Sequence, residues 1–201
     1  MTFREALTKQ RWDDHRYYHH SRVNQSLHLF SALSFICAYG VLPLEPAFAV
    51  LIAWLLAMPS RQIGHFFFEP RDYDVVNQAT HEHKEEIKVG YNLQRKVPLM
   101  SAWACSPLLL VVDPTLLGLL EPHRDGLGFV RNVSVMWLSI GVAALVGRTV
   151  QLFFIRDVQT GLVWCTKILT DPFHDLKLYY RSPLYLLRGE TLDPIAREHT
   201  I

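Results

Sequence analysis

The sequence lacks several features that would assign it to a common class. Its three cysteines form no CxxC pair and each lies in an apolar stretch, so neither a disulfide framework nor a cysteine zinc site is expected. The N-terminal segment is polar and has no early apolar core, which argues against a secretory signal. The formal net charge is only +1, so no nucleic-acid surface is indicated. With no Ser-, Gly- or Pro-rich linker in 201 residues, we expect one domain.

Long uninterrupted apolar runs are also absent, because none reaches about 20 residues unless its flanks are counted. Half of the residues are nevertheless hydrophobic, and they concentrate in four runs: 27–44, 47–58, 97–112 and 133–155. A turn with two prolines separates the first two runs, and a polar loop precedes the last. This pattern predicts an all-α, membrane-embedded bundle of about four apolar helices in two hairpins, with cytoplasmic-side polar helices and loops. The alternative is a large buried all-α core in a soluble bundle.

Polarity divides this single domain into five segments. They are a polar interfacial segment (1–26), the first hairpin (27–60), a polar His/Glu centre (61–96), the second hairpin (97–155) and an interfacial tail (156–201). Segments one, three and five hold 17 of the 20 Lys and Arg residues, so the positive-inside rule places them and both termini in the cytoplasm. We expect a multi-pass protein in contact with membrane lipid, in the inner membrane of a bacterium or the endoplasmic reticulum of a eukaryote. The small-xxx-small step from Ala143 to Gly147 permits a homo-oligomer.

Ten histidines are many for this length, and nine fall on the predicted cytoplasmic side. In the first group, His19 and His28 are nine residues apart, which on one straight helix means about 180° of rotation and about 13 Å of rise. They can therefore reach one ion only if the chain turns between them. Asn24 is expected to provide that turn by capping a helix that begins at Gln25.

The second group lies in the polar centre. His65 and Glu69 share a helix face at i, i+4 spacing, and Pro70 is expected to end that helix. In the segment THEHKEE (80–86), Thr80 is the expected N-cap, and two flanking histidines, about 200° apart on a helix, cannot both face one ion. A His–Glu hydrogen bond that closes a helix and a solvated helix start are the plain alternatives for these two motifs.

Imidazoles with an occasional carboxylate suit iron, zinc, copper or nickel, and O₂-activating iron uses this combination. The predicted metal ligands are His19, His20, His28, His65, His81 and His83. One of His81 or His83 is the expected fourth ligand beside His19, His28 and His65. A site at the membrane with leucine-rich walls further indicates a long-chain lipid substrate.

These residues resemble a known family. Tyr18-His19-His20 with Asn24 and His28, then Gly64-His65-x-x-Phe68-Glu69 after two apolar helices, is similar to the small membrane 2-hydroxy-fatty-acid dioxygenases of the Mpo type. The resemblance covers roughly residues 17–70, with a similar layout of apolar segments beyond. Arg22-Val23 stands where the family usually has a proline, and THEHKEE lies outside its pattern.

The resemblance implies a non-haem Fe(2+) enzyme of fatty acid α-oxidation, in which O₂ shortens a long-chain 2-hydroxy fatty acid by one carbon. It implies His19, His28 and His65 as iron ligands, with Glu69 beside them. In this interpretation Glu69 or Glu85 fixes the orientation of a ligand ring, while Tyr17, Tyr18 and Arg61 hold the substrate carboxylate.

Two other functions remain open from sequence. The HxxxHH spacing that ends at His20 also fits a box of the membrane di-iron lipid hydroxylases and desaturases. That class needs further boxes of the same type and would make His15 and His174 essential. A metal- or haem-binding membrane module without enzymatic activity is the third possibility.

Overall fold

The computed structural model describes residues 1–69, 71–74 and 77–194. Every regular element among these residues is helical, so the all-α prediction is confirmed. The helices are α1 (Phe3–Tyr18), α2 (Arg22–Val41), α3 (Pro46–Ile52), α4 (Met58–Phe67), α5 (His81–Ile87), α6 (Leu93–Cys105), α7 (Pro107–Val112), α8 (Gly126–Ile155), α9 (Val158–Tyr179) and α10 (Ser182–Leu187). A π-helical turn, Ala53–Ala57, joins α3 to α4 without a break.

Three helical stretches are long and apolar enough to cross a membrane. They are Pro46–Phe67, Gln94–Val112 and Gly126–Ile155, and each extends one of the apolar runs through its flanks. Most of their side chains face outward, and only 17% of the residues in the most apolar window of α8 are buried. Large apolar side chains in such numbers on the outside are expected where lipid is the solvent. The structure thus indicates a membrane protein.

Side-chain caps set where two of the helices near the polar centre begin. Thr80 caps α5 as predicted, because its hydroxyl accepts a hydrogen bond from the backbone N–H of His83. The predicted cap of α2 was wrong, since Ser21 rather than Asn24 accepts that bond and the helix starts at Arg22. Asn24 is instead buried inside the first turn, where its amide donates to the carbonyl oxygen of Tyr18 at 2.9 Å.

Helix α2 is central to the fold although it is not one of the three apolar spans. It packs against α3, α4, α9 and α10. Its first two turns carry polar side chains that lower its hydropathy, namely Arg22, Asn24, Gln25 and His28. All four are buried. Buried polar groups need partners inside the protein, so the helices around α2 must provide them.

The residues Asp171-Pro172 predict a helix start, with Asp171 as the cap and Pro172 at the first position, and this prediction was wrong. Helix α9 begins at Val158, where Asp157 accepts a hydrogen bond from the N–H of Thr160 at 2.7 Å, and Pro172 lies inside it. Proline removes one backbone hydrogen bond from a helix interior. Here α9 packs on α1, α2 and α8, and this packing keeps the helix continuous through the buried proline.

The apolar core lies among α3, α7 and α8. Its buried members are Val50, Leu110, Val133, Met136 and Trp137. Trp54 and Trp103 stack with ring centroids 5.4 Å apart and lie against Trp137, whose indole N–H donates to Ser106 Oγ at 3.0 Å. This apolar cluster is separate from the buried polar residues in the first turns of α2.

The contact between α8 and α9 generates a stability prediction. A Cβ atom on Gly161 would lie 2.6 Å from the ring of Phe153 and 2.8 Å from the carbonyl oxygen of Thr149. Gly161→Ala should therefore lower the free energy of unfolding by about 1–3 kcal/mol, as over-packing does. Thermal unfolding of the detergent-purified protein checks this. Gly40→Ala, which meets open space in α2, is the matched control and should not lower the midpoint. Equal midpoints for the two variants would contradict the close approach.

Candidate metal centre

Three histidines meet inside the protein at the polar end of α2. In the part of the chain that the structure describes, His19, His28 and His65 form the one group that offers three metal-ligand atoms within 4.8 Å of one another. Their ring centroids are 4.1 Å apart for His19 and His28, 4.9 Å for His28 and His65, and 5.4 Å for His19 and His65. All three are buried. We call them the triad.

Three short-range features of the sequence bring the triad together. His19 caps the C-terminal end of α1, and the chain turns there before Ser21 caps the start of α2. Because of this turn, His19 and His28 can approach each other although they are nine residues apart. His65 lies in the last turn of α4, beside the first turns of α2. At Gly64 the two helices touch, because a Cβ atom there would overlap the side-chain oxygen of Asn24. Glycine is thus required at position 64 for this approach.

Each triad ring has a partner at Nδ1. His65 Nδ1 lies 3.2 Å from Glu69 Oε2, and His19 Nδ1 lies 3.0 Å from the hydroxyl of Tyr179. His28 Nδ1 lies 3.6 Å from Asp175 Oδ2, an electrostatic contact longer than a hydrogen bond. The hydrogen bonds at Nδ1 fix the orientation of the His65 and His19 rings and leave their Nε2 atoms for a metal, whereas neither nitrogen of His28 has a hydrogen-bond partner among the described residues.

The Nε2 atoms provide the test of whether a metal fits. Among the described residues, neither His19 Nε2 nor His28 Nε2 has a hydrogen-bond partner, although both are buried. A buried polar atom without a partner costs about 1–3 kcal/mol. Two such atoms that converge with a third imidazole are explained by a bound cation, so the residues present fit a metal ion.

Protonation also favours metal binding at this place. Burial lowers the pKa of His19, and the neighbouring His28 lowers it further, so the ring is neutral near pH 7. A metal ligand must offer an unprotonated nitrogen, and a neutral imidazole does so without loss of a proton. Burial and the carboxylate of Asp175 raise the pKa of Tyr179, which therefore keeps its hydroxyl proton.

Glu69, which was predicted to lie beside the triad, has a second partner at the carboxylate oxygen that does not contact His65. Its Oε1 lies 2.9 Å from Lys88 Nζ, which also pairs with Glu85 at 3.0 Å. The ammonium of Lys88 lies 4.0 Å above the ring of Tyr18. The Tyr18 hydroxyl, predicted to hold a substrate carboxylate, donates instead to the backbone carbonyl of Lys84 at 2.5 Å. Tyr18 thus helps to position Glu69 through its contact with Lys88.

A buried charge network lies behind the triad on the α1–α9 side. Lys167 Nζ contacts Asp14 at 2.5 Å and Asp171 at 2.7 Å. Arg61, the other residue predicted to bind a carboxylate, lies 3.1 Å from Asp175 and 3.7 Å from Asp171. Its charge is already balanced by these two carboxylates. In the structure Arg61 therefore anchors Asp175, the partner of His28.

The structure does not bring the other three predicted ligands to the triad. His20 Nε2 contacts the backbone carbonyl of Arg16 and lies 3.5 Å from Asp74 Oδ2. His81 and His83 stand at the start of α5, where His83 is exposed. None of the three belongs to the group within 4.8 Å. Adjacency in sequence to His19 was a poor guide for His20, because successive residues at a helix end point in different directions.

Sequence reasoning missed Asp175 and Tyr179, which both come from α9. They were missed because this segment was predicted to be an interfacial tail. The signal was present, since Asp171, Asp175 and Tyr179 recur at every fourth position and so share one helix face. All three are buried. A polar stripe with helical spacing beside an apolar bundle indicates an inward-facing site.

A small cavity adjoins the triad between α1 and α9. Its volume is about 10 Å³, room for about one water molecule, and its lining includes His19, Asp175, Tyr179 and His174. His174 lies near the surface, and burial lowers its pKa. The cavity connects the charge network to the triad but is too small for an acyl chain.

The arrangement is a buried, neutral three-imidazole site with oriented rings. This donor set suits Fe²⁺, Zn²⁺, Cu²⁺ or Ni²⁺, and three protein ligands leave further coordination positions open. No protein-family model, curated protein or solved structure matches the chain.

The contact between Glu69 and His65 generates a prediction about metal affinity. Glu69→Ala removes the carboxylate that fixes the His65 ring, so the dissociation constant for Co²⁺, a coloured probe, should rise about 10- to 100-fold. Chelator competition on the purified protein measures it. Glu86→Ala is the matched control, because Glu86 is exposed on nearby α5. The account would be contradicted if both variants bound Co²⁺ as tightly as the wild type.

Proposed function

We propose that the chain is a membrane-embedded, Fe(2+)-dependent dioxygenase that removes one carbon from long-chain 2-hydroxy fatty acids. The observation that carries this proposal is the buried triad beside the apolar helices, in which the Nε2 atoms of His19 and His28 have no hydrogen-bond partner among the described residues. Three histidines without a thiolate form the kind of ligand set that non-haem oxygen-activating iron uses. The resemblance in residues 17–70 gives the same metal and adds the substrate.

His19, His28 and His65 would hold the iron. When bound, Fe²⁺ supplies coordination positions for the carboxylate and hydroxyl oxygens of the substrate and for O₂, and it acts as the redox centre. The protein's part is to keep the rings neutral and aligned. Glu69, Tyr179 and Asp175 serve this purpose, each through one Nδ1 atom.

The proposed reaction balances without any further reductant. A 2-hydroxy acid, R–CH(OH)–COOH, reacts with O₂ to give R–COOH, CO₂ and H₂O. The C1–C2 bond breaks, the substrate loses four electrons and O₂ accepts all four. A hydroxylase or desaturase would instead need two electrons from an external donor.

The membrane gives the acyl chain a place to lie. The apolar spans expose large side chains, and two of these, Phe67 and Phe68, directly follow the helical turn that carries His65. An acyl chain that lies in lipid along this face would bring its carboxylate to the polar end of the bundle. This placement agrees with a cavity at the triad too small for the chain itself.

The proposal includes a topology. We infer that α2 with α3–α4, and α6–α7 with α8, form two hairpins that enter the membrane from one side. The triad, α1, α5 and α10 then lie on the cytoplasmic side, in the inner membrane or the endoplasmic reticulum. The charge asymmetry supports this orientation, since 17 of the 20 Lys and Arg residues fall in the segments placed there.

The single triad favours one iron over two. A di-iron hydroxylase needs histidines for a second ion within a few ångströms of the first. In the ranges that the structure describes, the triad is the one group of three or more potential ligands, and His15 contacts Tyr179 rather than a second cluster.

Turnover with a labelled substrate tests the proposal. Protein reconstituted anaerobically with Fe²⁺ and then supplied with O₂ and a 1-¹³C 2-hydroxy fatty acid should release ¹³CO₂ and consume one O₂ per CO₂. His65→Ala should reduce the rate by at least about 100-fold, since it removes a ligand. His83→Ala, which changes an exposed histidine, should leave the rate unchanged.

Two outcomes would overturn the function. One is an absence of ¹³CO₂ from iron-loaded wild-type protein across several chain lengths. The other is equal turnover of the acid that lacks the 2-hydroxyl group, because the proposed reaction starts from that hydroxyl.

A further inference from the structure

A row of polar side chains leads from the triad towards the protein surface. Tyr179 Oη lies 3.0 Å from His19 Nδ1 and 3.1 Å from His15 Nδ1. His15 Nε2 in turn lies 3.9 Å from Asp193 Oδ2. His19, Tyr179 and His15 are buried, and the Asp193 side chain is 17% exposed. The row thus joins a triad ligand to a carboxylate near solvent.

The two contacts at Tyr179 cannot have the same direction. If both Nδ1–H groups donated to the phenol oxygen, the buried O–H of Tyr179 would have no acceptor, so the hydroxyl donates its one proton to one Nδ1 atom and accepts from the other. In the first arrangement His19 Nδ1–H donates to Tyr179, and Tyr179 donates to His15. In the second, His15 Nδ1–H donates to Tyr179, and Tyr179 donates to His19. Only the first leaves His19 Nε2 unprotonated and able to bind a metal.

Asp193 distinguishes between the two arrangements. His15 is buried, and a neutral imidazole carries a single proton, on either Nδ1 or Nε2. A carboxylate beside Nε2 attracts that proton to Nε2 and would repel a lone pair there. His15 Nδ1 then accepts from Tyr179, and the first arrangement follows. The same arrangement avoids a buried N–H without a partner at His19 Nε2.

The carboxylate is held firmly in place. Asp193 Oδ2 accepts from Gln25 Nε2 at 2.7 Å and from Arg22 at 3.0 Å. Its backbone N–H donates to the carbonyl oxygen of His20 at 2.8 Å. The segment after α10 is therefore fastened to the turn between α1 and α2, the turn that places His19.

We propose that Asp193, His15 and Tyr179 are positioning residues that set the tautomer of His19, so that its Nε2 lone pair faces the metal. This inference rests on the proposed metal site for its purpose. It assigns a role to His15 other than that of an iron ligand, and it makes the segment after α10 part of the centre. Two hydrogen bonds run outward from His19 through Tyr179 to His15, and the Nε2 atom of His15 faces a fixed negative charge 3.9 Å away.

The tautomer can be measured directly in metal-free protein. Imidazole ¹⁵N NMR of the full chain in detergent separates protonated from unprotonated ring nitrogens, and spectra of His19→Ala and His15→Ala assign the signals. In the wild type we expect His19 protonated at Nδ1 and His15 protonated at Nε2. Tyr179→Phe should give a mixture of tautomers at His19. Tyr180→Phe, which changes the exposed neighbouring ring, should leave the wild-type pattern.

Co²⁺ affinity gives a second readout, because a purely structural role of Asp193 would rank the affinities of the Asp193 variants differently. Asp193→Leu should weaken Co²⁺ binding about 10-fold or more. Asp193→Asn should weaken binding nearly as much, because the 3.9 Å contact with His15 is electrostatic and the amide carries no charge. A purely structural role for Asp193 would be rescued by the amide, whose oxygen still accepts from Gln25. Proton position at His19 should change in parallel with affinity across these variants.

Wild-type protein alone can overturn the inference, whether or not the variants fold. His19 protonated at Nε2 in the metal-free wild type would refute it, even if the protein binds iron and turns over substrate. Conversely, a His19 proton at Nδ1 in a protein that binds no Co²⁺ would keep the chain of hydrogen bonds and remove the proposed function.

Discussion

The structure depends on the burial of three uncharged imidazoles at one end of α2. Imidazole nitrogens that lose water must regain partners from the protein or from a bound ion. At the triad the Nδ1 atoms meet Glu69, Tyr179 and Asp175, which come from the end of α4 and from α9. Those groups have their own partners further out, including Lys88 and Arg61. The need to satisfy the rings thus organises two layers of polar residues around them.

The need to bury these imidazoles among polar partners also explains why one part of the bundle is apolar and the other part is polar. Helices α6–α7 and α8 expose apolar side chains and pack through a tryptophan cluster, as expected where lipid is the solvent. Helix α2 is polar in its first turns and apolar beyond them, so it connects the apolar bundle to the polar layer. The proposed reaction of a lipid at a metal needs both surroundings within a few ångströms. The position of His28, inside the second turn of α2, provides that proximity.

Short-range patterns predicted the parts of this site that lie close together in sequence. The spacing of His19 and His28 required a turn, and the chain does turn between α1 and α2, although Ser21 rather than the predicted Asn24 caps α2. The i, i+4 pair of His65 and Glu69 forms the expected contact, although Pro70 itself lies outside the described residues. Which histidine side chains face the triad from more than one helical turn away was harder to predict. His20, His81 and His83 are potential metal ligands by residue type. None of them belongs to the group of ligand atoms that lie within 4.8 Å of one another.

The polar stripe of α9 is visible in the sequence, but its partners could not be predicted because they depend on contacts across about 160 residues of sequence. Tyr179 reaches both His15 and His19 at that separation. Pro172 predicts a helix start because proline is favoured at that position, but packing on three neighbouring helices outweighs this preference. Local preferences are small compared with the burial of a whole helix face. Tertiary contacts thus decided which polar residues support the metal centre.

The central claim is that the triad binds one metal ion per chain. Metal content of anaerobically purified protein tests it most directly, with wild type, His65→Ala and His83→Ala prepared in parallel. The account predicts about one iron per chain in the wild type and in His83→Ala, and almost none in His65→Ala. Equal metal in all three proteins, or no bound metal in the wild type, would contradict it. Two irons per chain would contradict the mononuclear site and favour the di-iron class.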